Sequence, residues 1–354
     1  MGSVATNARI MRDCDPVVRL EGHHEEVNCI AVSTERSLLA SGSEDCSVRI
    51  WDFSDCTRYE CIRKLVGHTE YVVCLAFVGN SILSGSGDMT IRKWNILTGA
   101  CDLIINKHDG PVTQIVATPF LIFSTSSNSV IHAWSFDSGR LVRDFVGHTG
   151  MVYGLHLTGA DAEDDPQQGQ LPSKSVVDEN ETKNTPARAP ITGAIKRRMR
   201  LISYSDDCTA KFWAVTKGNC LQTFCGHCGP ITCVAVDTNA HCLYTGSIDG
   251  TVGQWLLETG QLIHWFKGHT GPIISLTVRG DYLYTASSDE TARAWVTDLA
   301  QSVQIYKGHQ HTVFQIELKD EMRMLTSTII KNLLVVASQA GCLYGWNLYE
   351  DVGT

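Results

Sequence analysis

No run of about eighteen apolar residues occurs in the chain, so the sequence offers no bilayer-spanning helix. The first twenty residues also lack the apolar centre of a secretory leader. Positive charge is scarce: 29 Lys and Arg stand against 38 Asp and Glu, giving a formal net charge of −9 and a pI near 5.8. A general nucleic-acid binder recruits phosphates with a basic face, and that class is therefore disfavoured. Fourteen cysteines would suggest disulfides in a small secreted protein. Without a leader, a reduced cytoplasmic compartment is expected, with nuclear entry open. Most thiols, including Cys29, Cys74, Cys233 and Cys342, read as small buried fillers of strands and turns.

What is present is a period. Histidines at His23, His68, His108, His148, His227, His269 and His309 are each followed by a tryptophan: Trp51, Trp94, Trp134, Trp213, Trp255, Trp295 and Trp346. A fixed spacing of roughly 40 residues marks an array of one supersecondary unit. A chain of 354 residues would otherwise suggest several domains. In an array each unit buries its apolar face against its neighbours, so all share one core. With 43% hydrophobic residues the chain can fill it.

The second unit shows the local pattern. After Gly67-His68, residues 71–77, 81–86 and 90–94 form three short alternating runs divided by Gly, Asp and Asn. That is the signature of an antiparallel meander. A fourth strand precedes the next histidine, as in residues 141–146. Seven such units would make a radial array with short protected edges.

The segment Ser41-Gly-Ser-Glu-Asp-Cys-Ser-Val-Arg-Ile-Trp-Asp52 resembles the end of a WD (WD40) repeat, and the resemblance extends over residues 16–349. It implies an all-β, seven-bladed β-propeller with four antiparallel strands per blade. It further implies hydrogen-bonded tetrads of His, Ser or Thr, Asp and Trp. These would be His23, Ser41, Asp45 and Trp51; His68, Ser84, Asp88 and Trp94; His148, Ser203, Asp207 and Trp213; His227, Thr245, Asp249 and Trp255; and His269, Thr285, Asp289 and Trp295. Unit three departs through Lys107 and Asn128, while unit seven has Val336 and Ala340 at the hydroxyl and Asp positions. A strand at residues 17–20 would pair with the last repeat and close the ring.

Residues 1–15 read as a flexible tail, and 350–354 as a second. The interval between Trp134 and Trp213 holds a surplus at residues 160–199, acidic at one end and basic at 196–200. Rich in Pro, Ser, Glu and Gln, it reads as a disordered insertion in blade four, on the face opposite the histidine loops. A smaller surplus, around residues 320–331, sits at the same place in unit seven.

Several motifs imitate chemistry. Ser, His and Asp recur together, but a hydrolase needs one accessible triad, not five copies. Cys225-Gly-His-Cys228 spells a redox motif, although redox cysteines need a helix N-terminus. Zinc at Cys233, His241 and Cys242 lacks a second Cys-x-x-Cys. No catalytic residue, metal site or cofactor is expected. Gly2 fits the N-myristoylation pattern, so membrane attachment is expected only if Gly2 is acylated. Residues 196–200 could serve in nuclear import.

The resemblance also implies a partner-binding face at the histidine loops. Its members here are Tyr71, Val73, Met151, Tyr153, Ile248, Ile274 and Phe314, with polar Glu26, Asn28, Glu44 and Asp206. None is Lys or Arg, so no phosphopeptide preference is expected. The expected function is a monomeric, non-enzymatic scaffold or adaptor for proteins or peptides, without direct nucleic-acid binding. The alternative is a substrate receptor in a ubiquitin ligase or another multiprotein catalytic assembly. Against it stand the fifteen residues before the first blade and the missing Trp-Asp-x-Arg signature, since Ser54 follows Trp51-Asp-Phe.

Overall fold

Short β-branched runs cut by turn residues can satisfy their backbone groups only by pairing with the next run. A computed structural model describes residues 22–33, 36–52, 60–158, 199–237 and 241–306, and the backbone of strands within 313–347. The segment 17–20, Gly2, residues 160–198, His309, Ala340 and Cys342 lie outside the described residues.

Strands β1 (Val27–Ser33), β2 (Leu38–Ser43), β3 (Ser47–Asp52) and β4 (Glu60–Val66) form an antiparallel meander. The same four-stranded order recurs within residues 72–105, 112–145, 152–225, 231–267 and 273–306, giving six such sheets. A three-stranded sheet follows, made of strands Val313–Arg323, Ile329–Ser338 and Leu343–Asn347. The surplus at residues 320–331 is partly taken up here as strand. Pairing runs on to Glu321 opposite Lys331 and Arg323 opposite Ile329, which lengthens both strands.

Each sheet packs face to face with the next through its first strand. Side chains alternate between faces, so neighbours in sequence serve different interfaces. Ile82 joins Ile50, Leu65 and Trp94 between sheets one and two. Leu83 joins Ile115, Ile122 and Trp134 between sheets two and three. Later interfaces repeat an aromatic pair: Phe145 meets Trp213 at 5.8 Å, Phe224 meets Trp255 at 5.9 Å and Phe266 meets Trp295 at 5.8 Å. The periodic tryptophans therefore weld each sheet to its predecessor, and edge-to-face aromatic pairs add about 1 kcal/mol beyond their buried area.

The thiols correct the sequence expectation. Among the described cysteines only Cys74 is fully buried, with Cys29 and Cys233 half-buried. Cys61, Cys101, Cys220, Cys225 and Cys228 are exposed. Cys61, Cys101 and Cys220 lie opposite tryptophans on the outermost strands, where one face is open to solvent.

The inner thiols fill a cross-strand gap. Cys29 faces Gly42, Cys74 faces Gly85 and Cys233 faces Gly246. A Cβ on Gly42 or Gly246 would come within 2.7 Å of the opposing sulfur. Sheet four inverts the pair: Gly154 faces Tyr204, and a Cβ on Gly154 would strike the phenol. Large still faces small, but the large partner changes sides and is here a phenol instead of a thiol. Gly154→Cys should therefore cost about 1–3 kcal/mol in urea unfolding. Tyr204→Gly alone should cost about 3–5 kcal/mol by leaving a cavity. The double variant should lose less than the sum, because the new thiol then meets no phenol; additive losses would refute the complementarity.

Candidate functional site

Five loop–turn pairs carry the same relay. The Trp Nε1–H donates to a Ser or Thr hydroxyl at 2.8–2.9 Å, in Trp51–Ser41, Trp94–Ser84, Trp213–Ser203, Trp255–Thr245 and Trp295–Thr285. That hydroxyl lies 2.7–2.8 Å from His Nε2 in His23, His68, His148, His227 and His269. The other ring nitrogen, Nδ1, lies 2.8–3.0 Å from Asp45, Asp88, Asp207, Asp249 and Asp289. A carboxylate only accepts, so Nδ1 carries the proton and Nε2 accepts from the hydroxyl. The hydroxyl is thus the bridge between ring and indole.

The carboxylate gathers more donors than the sequence reading anticipated. The amide after each histidine (His24, Thr69, Thr149, Cys228, Thr270) donates to the same oxygen. Two residues past each Asp, a hydroxyl at 2.6 Å and its own N–H reach the second oxygen, from Ser47, Thr90, Thr209, Thr251 and Thr291. Two residues before it, Ser43, Ser86, Ser205, Ser247 and Ser287 accept the Asp N–H. Alternating Ser-x-Asp-x-Ser/Thr is visible in every complete unit and could have revealed both positions. The residue just after the Asp adopts positive φ, 61° at Cys46, 65° at Met89 and 63° at Cys208. Such strain persists because the carboxylate overdetermines the turn.

Burial opposes ionisation of these groups, and hydrogen bonds outweigh it at the Asp but not at these His. Burial disfavours the Asp207 carboxylate, but Thr209, the Thr149 amide and His148 outweigh it and hold its pKa at about 2. Burial dominates at His68, His148 and His227, and their pKa values fall below the ordinary histidine value despite the adjacent carboxylates.

Unit three shows what the carboxylate supplies. His108 Nε2 and Trp134 still meet Ser124 at 2.7 Å. With Asn128 in place of Asp, His108 Nδ1 and Ser126 Oγ are buried without partners. His132 stacks edge-on at 5.0 Å and is itself tied to Asp144 at 2.7 Å. Burial, reinforced by His132, pushes the His108 pKa down to about 4. Unit five carries a different substitution that the sequence reading missed. Gly253 stands where Arg49, Arg92 and Arg293 stand in other sheets, and Trp265 from the paired strand packs against His227 at 4.9 Å. Trp265 is the one tryptophan outside the period.

The expected contact residues divide. Glu26, Glu44, Tyr71, Asp206 and Ile248 are exposed at the loops and Asn28 on β1, whereas Val73, Met151, Tyr153 and Ile274 are half-buried. Tyr153 donates its hydroxyl to Asp206 at 3.0 Å, which joins two of them. The Phe314 side chain lies outside the described residues. Cys225 ends a strand (Cys220–Cys225) and not a helix, so no helix dipole acts on it. No group of three His, Cys, Asp or Glu side chains suited to a metal occurs among the described residues.

Repeated antiparallel meanders tied by His–Asp relays define an all-β repeat protein. The model of the WD domain, G-beta repeat matches residues 14–52, 59–95, 218–255 and 260–295, so the chain carries WD repeats in those segments. It is similar to an F-box/WD repeat-containing protein, sel-10, of Caenorhabditis elegans, with 31% identity over 37% of this chain and 24% of that protein. It is also similar to the CCR4-associated factor 4 homolog of Candida glabrata, 28% identical over 40% of this chain and 29% of that one. Nuclear distribution protein PAC1 of Arthroderma otae is 26% identical over 66% of this chain and 59% of its own length. The chain thus spans less than a third of the first two relatives. In fold it resembles the computationally designed Ika8 protein, with a TM-score of 0.68, 21% identity, and coverage of 94% of this chain and 99% of that one.

The orphaned histidine gives a test. Asn128→Asp should stabilise the fold by about 1 kcal/mol in urea titration, by giving His108 Nδ1 its acceptor. A histidine whose folded pKa is depressed contributes stability above its unfolded pKa, about 6.5, and loses it as pH falls toward the folded value. The native chain should therefore lose stability between about pH 6.5 and the His108 value of about 4. Asn128→Asp should flatten that decline, and an unchanged pH profile would contradict the assignment.

Proposed function

We propose that the seven units close into a ring and that the chain is a non-catalytic scaffold or adaptor in the cytoplasm, presenting its histidine-loop face to protein or peptide partners. The observation that carries this reading is the fivefold recurrence of the Ser/Thr–His–Asp relay. Its histidine side chains are at most 5% exposed. Each hydroxyl is already shared between a ring and an indole, so none of these five is free to act as a nucleophile. What remains available is the set of side chains between the relays.

Ring closure is supported by an unfilled seam. Ile30 on β1 is 62% exposed, while Ile115, Leu155 and Leu276 at the same position of other units are 5%, 4% and 7% exposed. Those three are covered by the preceding sheet, and the seventh unit is the sheet that would precede the first. Tyr71, Met151, Tyr153 and Phe314 are the proposed contact set. Replacing all four by Ala should leave the melting temperature nearly unchanged and abolish partner capture in affinity purification; intact capture would sink the assignment.

A second reading is favoured by the relative named as an F-box/WD repeat-containing protein. Under it the chain is a substrate receptor, with catalysis residing in its partners. Co-purification of a cullin or its adaptor would select this reading over a free-standing scaffold.

A further inference from the structure

We infer that the histidine-loop face of sheets one and two receives a basic protein segment, whose Lys or Arg heads meet Glu25, Glu26, Glu44 and Glu70 while their stems lie on Tyr71 and Met89. This rests on the reading of that face as a partner surface, and adds where the partner sits and what chemistry it carries.

The repeat supplies its own control, because each loop can be compared with its counterparts. In sheets one and two the loops expose four carboxylates, Glu25, Glu26, Glu44 and Glu70, and none forms an ion pair among the described residues. No Lys or Arg occurs in loop residues 22–26, 44–46, 67–71 or 87–90. Arg19, Arg49, Lys64 and Arg92 flank these loops in sequence, and the guanidinium groups of Arg49 and Arg92 pack beneath Gly22 and Gly67. Other sheets differ. Sheet three carries Lys107 beside Asp109, and in sheet four Asp206 already accepts from Tyr153. Sheet five offers uncharged Cys228 and Ile248, and sheet six only Glu290.

Backbone carbonyls tie each of these loops to the turn of its own sheet. The Glu44 N–H donates to the Glu26 carbonyl at 2.9 Å, which ties turn to loop within sheet one. Ser43 and Ser86 hold the carbonyls of Glu25 and Glu70 at 3.2 and 2.9 Å. Cys46 lies within the field of both loops: burial, then Glu70, Glu25, Asp45 and Asp88, raise its thiol pKa.

An apolar floor accompanies the charge. Tyr71 is 41% and Met89 43% exposed. The Tyr71 ring lies so close over Gly87 that a Cβ there would approach Cε1 to 2.7 Å. The ring is therefore held in place before binding, which lowers the ordering cost. A long cationic side chain fits such a surface, since its stem covers apolar area while its head reaches carboxylates or the ring face. Phosphate-bearing polymers and anionic bilayers are repelled by the same charges.

The test uses the full chain and a fluorescent peptide of alternating arginine and serine, followed by anisotropy at low and physiological salt. The arginine peptide should bind, more weakly as salt rises, and a glutamate–serine peptide should not. Combining Glu25→Gln, Glu26→Gln, Glu44→Gln and Glu70→Gln should weaken binding by about tenfold or more. An equal-charge control at exposed sites elsewhere, Asp102→Asn, Asp137→Asn, Glu258→Gln and Asp281→Asn, should change it less than about threefold. Failure of the arginine peptide to bind, or equal loss in both variants, overturns the proposal. Should the four-glutamine variant still capture a cellular partner that the four-alanine variant loses, this proposal falls while the scaffold reading stands.

Discussion

The described structure depends on one interaction, the acceptance of several donors by a single turn carboxylate. Each complete Asp takes the ring N–H of a histidine, the amide that follows it, and the hydroxyl and amide two residues ahead. These donors come from a loop and a turn far apart in sequence. Without the carboxylate the buried ring N–H would be unsatisfied, at about 1–3 kcal/mol. Unit three shows this at the histidine, since Asn128 still accepts the Val130 amide at 3.2 Å but leaves His108 Nδ1 without a partner. The relay then passes through the hydroxyl to the indole, and the indole ring packs on the preceding sheet. One acceptor thereby couples loop position to the interface between sheets.

Packing supplies the second constraint. Successive sheets meet through alternating side chains, and within sheets some cross-strand pairs set a large residue against a glycine on either side. Cys29 against Gly42 and Gly154 against Tyr204 are two solutions to one gap. Trp265 beside Gly253 is another, filling space that an arginine stem occupies elsewhere. Such exchanges are invisible to a repeat profile, because each half departs from the pattern and only the pair makes sense.

That difference explains how much could be read from the sequence. The His, Ser/Thr, Asp and Trp positions were legible because hydrogen bonds demand fixed residue types at fixed offsets. Ser47 and its counterparts were equally legible, yet their alternation with the turn Asp passes for ordinary turn composition. Exposure at the loops was not legible. Tyr71 and Ile248 stand out to solvent, whereas Val73 and Ile274, at positions of the same apolar kind, are half-buried in strands. The surplus near residue 320 could equally have formed a loop, and only pairing across Glu321 and Lys331 turned part of it into strand. Once scaffold duty is subtracted, carboxylates without an ion pair among the described residues and an exposed tyrosine remain on the first two sheets, and the proposed basic partner rests on that remainder.

The central claim, that a turn carboxylate sets the proton position and so the orientation of each histidine, is tested most directly by nitrogen-15 NMR of the imidazole rings near neutral pH. The account predicts that His23, His68, His148, His227 and His269 carry their proton on Nδ1, with Nε2 accepting from Ser or Thr. His108, lacking an acceptor at Nδ1, should carry its proton on Nε2. Six rings in one common tautomer would contradict the account, because the carboxylate would then not be what distinguishes them.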